Sequence, residues 1–231
     1  MHRHLDEELE ALKKALLEMG GLVERQIDNA MTALVDADVD LARSVIARDK
    51  EVDEFERRID ESCVRILALF QPAARDLRFV TLGLKIVTDL ERQGDQAVNI
   101  AERAIELAEE PPLKPYIDLP RMSLCARRML DQALEAFVRG DAAAAHKILG
   151  DDDQVDQLTS QLFREILTYM IENPKNILRG TRILFVAKYL ERIADHATNI
   201  AEMVIFNIEG KDVRHGHDDT VPAVGPGDSA D

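Results

Sequence analysis

The sequence predicts an all-α protein built from two tandem, pseudo-symmetric three-helix bundles, and three observations support this class. Aromatic residues make up only 4% of the 231 residues, and Trp is absent, a composition that favours helical bundles over sandwiches or barrels. Long segments carry apolar residues in steps of three and four. Prolines interrupt the chain between these segments. We therefore expect six long helices with short connections.

The first half contains three predicted helices. The first covers residues 5–35, and the second covers 40–70 until Pro72 stops it, because the residue before a proline disfavours helical backbone. The third runs over 73–109 and ends before the first of several closely spaced prolines, Pro111. Proline lacks the backbone N–H that a helix interior needs, so this break separates the two halves.

The second half repeats this order. Its helices are expected at 118–138, 141–172 and 175–208, with Pro174 between the last two and Gly210 after the last. Proline and glycine are common at such helix ends. Each half is therefore predicted to be helix, short turn, helix, proline and helix.

These breaks divide the chain into four segments. They are a first bundle at 1–110, a Pro-rich linker at 111–117, a second bundle at 118–210 and a tail at 211–231. The tail is rich in Gly and Pro and poor in apolar residues, so we expect it to be disordered. Helices of about thirty residues extend ~45 Å, so each bundle should be elongated.

Apolar residues follow one side of the helices in alternating steps of four and three, the pattern of a left-handed bundle. The third and sixth helices carry these rows at Leu82, Ile86, Leu90, Ala97, Ile100 and Ala104, and at Val186, Leu190, Ile193, Ala197, Ile200 and Val204. Three such rows in each half can close a core.

A thirteen-residue segment occurs twice, one hundred positions apart. Residues 90–102 and 190–202 share nine identities, which include all three carboxylates and the single Asn. A duplicated helix needs to keep only its apolar side to keep packing, so the retained polar residues point to a use. Further matches, such as Asp53 with Asp156, extend the repeat at an offset of 103. The halves are therefore predicted to be copies of one unit.

Acidic residues occur four apart on two neighbouring helices of each half. A step of four separates two side chains by about 40° around a helix, so each pair shares one face. An Asn follows one turn later on the third and sixth helices, at the margin of that face. The residues in this pattern are Asp49, Asp53, Glu91, Asp95 and Asn99 in the first half, and Asp152, Asp156, Glu191, Asp195 and Asn199 in the second.

These acidic pairs predict a metal site in each half. Like charges at this spacing destabilise an isolated helix by about 0.2–0.5 kcal/mol per pair, and two facing pairs repel further unless a cation compensates. Carboxylate and amide oxygens suit Mg²⁺, Ca²⁺, Mn²⁺ or iron, whereas Zn²⁺ and copper more often use His or Cys. The alternative is a solvated acidic face that Arg92 and Arg192 neutralise. His196 could add a nitrogen ligand, but its counterpart is Gln96, which favours a surface histidine.

Charge and composition exclude several classes of function. The formal charge is −15 and no Lys/Arg cluster stands out, so nucleic-acid binding is not expected. No apolar run approaches the ~20 residues of a spanning helix, and no signal-peptide core follows the N-terminus, so we expect a cytoplasmic protein. Cys63 and Cys125 lack metal-type spacing and should be buried and reduced. The sequence contains neither a P-loop nor a Gly-x-Ser-x-Gly motif, so we do not expect an enzyme.

Three segments of the chain resemble the PhoU family of phosphate-specific transport system accessory proteins. They are Pro-Ala-Ala-Arg-Asp-Leu-Arg from Pro72, Asp-Leu-Glu-Arg-x-x-Asp-x-x-x-Asn-Ile-Ala from Asp89, and the matching segment from Tyr189. The two Glu-Arg-x-x-Asp copies are the most specific part, and the resemblance covers residues 1–210. It implies two three-helix bundles with multinuclear metal clusters, often of iron, on the ten residues of the acidic pattern. Mg, Mn, Ca, Zn and Ni are alternative metals.

The resemblance also implies a regulatory role without enzymatic activity. PhoU-like proteins act as negative regulators of the phosphate-starvation response and restrain phosphate uptake. The implied partners are a membrane sensor histidine kinase and the ATPase subunit of the phosphate ABC transporter, so any membrane contact is peripheral and passes through them. A homodimer is expected. Arg75 and Arg78 have no copy in the second half; they are candidates for partner binding or for a salt bridge at the helix start.

Two other classes of function compete with the regulator. A carboxylate-bridged di-iron oxidase draws on Glu-x-x-His pairs, and none of the six histidines has a Glu three residues before it. An inert helical scaffold would use the acidic rows only for solubility or partner contact. The scaffold predicts that neutralising the rows changes neither function nor metal content.

Overall fold

A computed structural model describes residues 2–210, and the tail that was predicted to be disordered lies outside them. Within this range the chain is helical and has no strand, so the predicted fold class is confirmed. The helices span His2–Asp36 (α1), Val39–Phe70 (α2), Ala74–Leu107 (α3), Asp118–Arg139 (α4), Ala142–Glu172 (α5) and Ile177–Glu209 (α6).

The predicted ends of most helices differ from the observed ones by a few residues, and the largest difference in kind precedes α6. Pro174–Asn176 forms a short 3₁₀ turn there instead of the first turn of the α-helix. The side chain of Asn173 accepts a hydrogen bond from the backbone N–H of Lys175 at 3.1 Å, and this cap together with Pro174 fixes the tighter turn.

The short turns after α1 and α4 have the same structure in both halves. The Asp38 and Asp141 N–H groups donate to the carbonyls of Ala33 and Ala136, both at 2.9 Å, which closes a Schellman-type helix end. Each Asp side chain then accepts a backbone N–H at the start of the next helix and so caps it. Gly140 takes the required positive φ of 65°. These shared turns support the duplication predicted from the sequence.

The six helices pack as two units that share one core. In each unit the three helices contact one another, and α3 also packs on α6 and α1 on α4. Helices α1, α3, α6 and α4 therefore form a closed ring of four, with α2 and α5 on its outer sides. The predicted apolar rows of α3 and α6 are buried throughout. The described helices contain no segment long and apolar enough to cross a bilayer.

Helices α3 and α6 run antiparallel where the units meet. Arg182 Nε of α6 pairs with Glu106 Oε2 of α3 at 2.8 Å, whereas His196 lies beside Asp89, nearer the start of α3. In these contacts the residue numbers of α3 fall as those of α6 rise. Because α3 and α6 are corresponding helices of the two units, this antiparallel arrangement relates the units by an approximate twofold rotation. This rotation places the two acidic patterns at equivalent positions on the outer sides of the ring.

The linker between the units is anchored by charged groups. Lys114 is only 8% exposed and pairs with Asp118 of α4 and Glu165 of α5. Arg179 Nη1 donates to the carbonyl of Pro111 at 2.7 Å. These contacts join the linker to the α5–α6 end of the second unit.

Candidate metal sites

The first acidic cluster lies where α2 packs against α3, and it comprises Asp49, Asp53, Glu91 and Asp95. Burial raises the pKa of Glu91 to about 7, and the negative charges of Asp95, Asp53 and Asp49 add to the increase. Burial, followed by the charge of Asp53, raises the pKa of Asp95. The carboxylates of both helices therefore lie close enough to repel one another, as the sequence pattern predicted.

Glu56 is a further member of the first cluster that the sequence analysis missed. Its pKa is raised first by burial and then by the charges of Asp60, Asp53 and Asp95, and it contributes in turn to the raised pKa of Glu91. Glu56 follows Asp53 by three residues and so lies on the same helix face. The internal repeat does not reveal it because its counterpart in the second half is Thr159.

A close approach of α3 to its neighbours positions the first cluster. A Cβ on Gly94 would lie 3.3 Å from Val52 of α2 and 3.4 Å from Gln26 Oε1 of α1. Gly94 and Val52 each directly precede an acidic residue of the cluster. The absence of a side chain at Gly94 therefore lets the helices approach beneath the carboxylates.

The second acidic cluster lies where α5 packs against α6, and it comprises Asp152, Asp156, Glu191 and Asp195. Burial raises the pKa of Asp152 to about 6, with contributions from Asp195, Asp156, Asp153 and Glu191. Burial and the Glu191 charge also raise the pKa of Asp195. The pattern of the first cluster is thus repeated in the second unit.

A lysine within the second cluster offsets part of its negative charge. Lys188 Nζ donates a short hydrogen bond to Glu191 Oε1, and its positive charge acts to lower the pKa of Asp195. In the part of the chain that the structure describes, neither Arg92 nor Arg192 forms an ion pair with the glutamate before it. The neutralisation by these arginines that the alternative of a solvated acidic face invoked is therefore not the arrangement found.

The two asparagines of the pattern lie at the edge of their clusters. Asn199 Nδ2 donates to Asp89 Oδ1 across the contact between α6 and α3, at 3.4 Å, so it faces away from the α5 carboxylates. His196 Nδ1 lies 2.9 Å from the same oxygen, and its side chain is only 16% exposed. The interpretation of His196 as a plain surface histidine is therefore wrong. Asn99 is half-buried on α3.

The carboxylate oxygens of each cluster are the kind of ligand that a hard cation prefers, but their side chains are not arranged around a common point. Among residues 2–210, no group of three or more His, Cys, Asp or Glu side chains has a metal-holding arrangement. Carboxylates that raise one another's pKa carry negative charge without full compensation, and a bound cation would remove this repulsion. Side-chain rotations of the Asp and Glu residues would have to bring their oxygens together before a cation could be held.

Arg75 and Arg78, the candidates for partner binding, lie away from both clusters. Both side chains are exposed at the start of α3, where they line a groove of about 560 Å³ between the ends of α1, α3, α4 and α6. The groove also contains the acidic residues Asp6 and Glu10. The structure therefore places the two arginines on an accessible surface at one end of the molecule.

Comparisons with known proteins agree on one family. The family model described as "PhoU domain" matches residues 16–104 and again 119–204. A phosphate-specific transport system accessory protein PhoU homolog from Aquifex aeolicus is 47% identical over 92% of this chain and 96% of its own length. The homolog from Pseudomonas aeruginosa is 46% identical over 90% and 86%. The crystal structure of PhoU from Pseudomonas aeruginosa superposes with a TM-score of 0.84 at 45% identity and covers 89% of this chain and 99% of that one.

Proposed function

The chain belongs to the PhoU family, and we propose that it is a negative regulator of the phosphate-starvation response that restrains phosphate uptake. The observation that carries this proposal is the match of the family to both units of the fold, together with relatives named as accessory proteins of phosphate-specific transport. A role in regulating phosphate transport follows from the family. The negative direction of that regulation is proposed.

The proposed partners are the ATPase subunit of a phosphate ABC transporter and a membrane sensor histidine kinase. A long helical surface without a spanning segment in the described helices suits a protein that reaches the membrane only through such partners. The exposed Arg75 and Arg78 supply cationic groups for one of these contacts. We further propose that the protein works in the cytoplasm as a homodimer. A regulator of this kind acts by binding, and no enzymatic activity is proposed.

The two acidic clusters are proposed to hold metal ions. In the first unit the carboxylates of Asp49, Asp53, Glu91 and Asp95 would supply the ligands, with Glu56 beside them and Asn99 at the margin. In the second unit the corresponding ligands are Asp152, Asp156, Glu191 and Asp195, whereas Asn199 would have to leave Asp89 to join them. Bound cations would neutralise the carboxylates and join α2 to α3 and α5 to α6. Iron in multinuclear clusters is the proposed metal, and Mg, Mn, Ca, Zn and Ni are the alternatives that the oxygen ligands also admit.

A helical scaffold whose acidic rows serve solubility or partner contact is the competing function. The observation that favours it is the lack of a closed metal-holding group among the described residues. Both functions predict the same fold. They differ in the effect expected when the carboxylates are removed.

Secreted alkaline phosphatase activity in high phosphate distinguishes the two functions. A host without its own copy of this gene would carry either the intact chain or a variant in which Glu91, Asp95, Glu191 and Asp195 are changed to Ala. The regulator with functional clusters predicts low activity with the intact chain and high activity with the variant, at equal levels of folded protein. Equal repression by the intact chain and the variant would support the regulatory role but would show that the acidic clusters are not needed for it. Failure of the intact chain to repress would support the scaffold.

A further inference from the structure

We propose that the two acidic clusters are unequal cation sites, with the first cluster binding more tightly because Lys188 occupies part of the second. This inference rests on the metal binding proposed for both clusters and concerns residues that differ between the two units. The first cluster comprises Asp49, Asp53, Glu56, Glu91 and Asp95. The second cluster comprises Asp152, Asp156, Glu191 and Asp195, with the exposed Asp153 beside them.

The number of carboxylates does not distinguish the clusters. Glu56 has no acidic counterpart in the second unit, where Thr159 donates to the carbonyl of Val155 at 3.0 Å. Asp153 compensates for this loss because its charge acts on Asp152, and its own counterpart is Lys50. Each unit therefore has one acidic residue beyond the four that the repeat shares, Glu56 in the first and Asp153 in the second.

Lys188 is a positive charge that is paired with a carboxylate of the second cluster. Its ammonium group donates a hydrogen bond to Glu191, one of the proposed ligands. Its positive charge also acts to lower the pKa of Asp195. The counterpart of Lys188 is Thr88, whose hydroxyl donates to the backbone carbonyl of Leu84 at 3.3 Å and carries no charge. An arriving cation must therefore displace an ion pair at the second cluster, whereas no ion pair among the described residues of the first cluster stands in its way.

A buried amide supplies an independent difference beneath the first cluster. Gln26 is only 3% exposed, and neither its Nε2 nor its Oε1 atom has a hydrogen-bond partner in the described residues. Its Oε1 atom lies in the gap left by Gly94, next to Val52. A buried amide without partners is costly, and a carbonyl oxygen is a good ligand for a hard cation.

The second unit has apolar side chains at the corresponding positions. The counterparts of Gln26 and Gly94 are Met129 and Ala194, and both are buried. The amide oxygen and the glycine beside it therefore have no counterpart in the second unit. The amide of Gln26 and the charge of Lys188 favour the same cluster.

Calorimetric titration of the full-length, metal-free protein with Mn²⁺ tests the inference. Two backgrounds isolate the clusters: Glu191→Gln with Asp195→Asn leaves only the first, and Glu91→Gln with Asp95→Asn leaves only the second. One unit charge a few ångströms from a divalent ion at a partly exposed site changes an association constant by about tenfold. We expect the first cluster to bind Mn²⁺ about tenfold more tightly than the second.

Exchanging the differing residues gives matched controls. Lys188→Thr should raise the affinity of the isolated second cluster about tenfold, and Lys188→Met should do the same because it removes the charge but keeps the aliphatic stem. Thr88→Lys should weaken the isolated first cluster by a similar factor. Gln26→Met should weaken the first cluster and leave the second unchanged. Circular dichroism melting curves would verify that each variant is folded.

The outcomes separate this inference from the proposed function. Equal Mn²⁺ affinities in the two backgrounds, or no response to either substitution of Lys188, would overturn the inequality while leaving two metal sites. No Mn²⁺ binding in either background or in the intact chain would overturn the metal sites themselves, and the inference with them. Tighter binding at the second cluster would reverse the assignment and refute the role of Lys188.

Discussion

Replacing Glu91 by Gln is expected to stabilise the metal-free protein much more at pH 8 than at pH 5. In the folded chain, burial and neighbouring carboxylates raise the pKa of Glu91 from its ordinary value of 4.5 to about 7. Because the folded-state pKa lies above the unfolded-state value, this group stabilises the fold most below pH 4.5, and that contribution is lost as the pH rises through 7. A neutral glutamine does not undergo this loss.

The expected gain is about 1 kcal/mol. A tenfold change in proton affinity corresponds to about 1.4 kcal/mol, so a rise from 4.5 to about 7 sets an upper limit of about 3 kcal/mol. Glu91 is partly exposed, and solvent screening reduces the interaction of such charges to about 1 kcal/mol. The gain should shrink to a few tenths of a kcal/mol at pH 5, because that pH lies well below the folded-state pKa and only slightly above the ordinary value of 4.5.

Urea unfolding in the presence of EDTA, at pH 5 and pH 8, measures this difference. The matched control is Glu191→Gln, which removes the partner of Lys188 and should not stabilise the protein at either pH. A Glu91→Gln variant that is no more stable than the parent at pH 8 would refute the claim that the first cluster carries uncompensated charge. An equal gain at both pH values would also refute it, because the effect would then not depend on ionisation.

Two further predictions concern the stability of the fold, and both can be measured by urea unfolding. Gly20→Ala should destabilise the protein by about 1 kcal/mol, since its Cβ would clash with the terminal methyl of Leu134 where α1 meets α4. Leu134 is buried, so its displacement in the packed core should outweigh the higher helix propensity of Ala. The neighbouring control Gly21→Ala should stabilise by about 0.5–1 kcal/mol because its Cβ has space; similar effects at both glycines would contradict the packing. Lys114→Met should destabilise by about 3 kcal/mol, since it leaves the buried Asp118 carboxylate without its ammonium partner. A variant as stable as the parent would show that this ion pair does not anchor the linker.

The helices and the carboxylates that share a face could both be predicted from the sequence, because both depend on the spacing of residues along a helix. Rows with steps of three and four become buried seams in any bundle, and Leu90 and Leu190 are fully buried as that rule requires. The four-residue spacing of Glu91 and Asp95 likewise fixes a shared face. Duplication then identified the corresponding face on α6. These local relations do not depend on how the two units meet.

The contact between the units could not be predicted in the same way. Asn199 and His196 turn to Asp89, which lies more than one hundred residues away, and their orientation depends on the packing of α3 against α6. Lys188 was missed for a different reason. Its counterpart is Thr88, and a comparison of retained residues passes over the positions at which the copies differ.

The central claim, that the acidic clusters hold cations, is tested most directly by anomalous diffraction from crystals grown with Mn²⁺. Data collected near the manganese absorption edge would locate the ions without assumptions about their ligands. We predict an anomalous peak between Asp49 and Asp53 of α2 and Glu91 and Asp95 of α3, with a weaker peak at the corresponding place between α5 and α6. Well-diffracting crystals with no peak at either cluster, or with peaks only elsewhere on the surface, would contradict it.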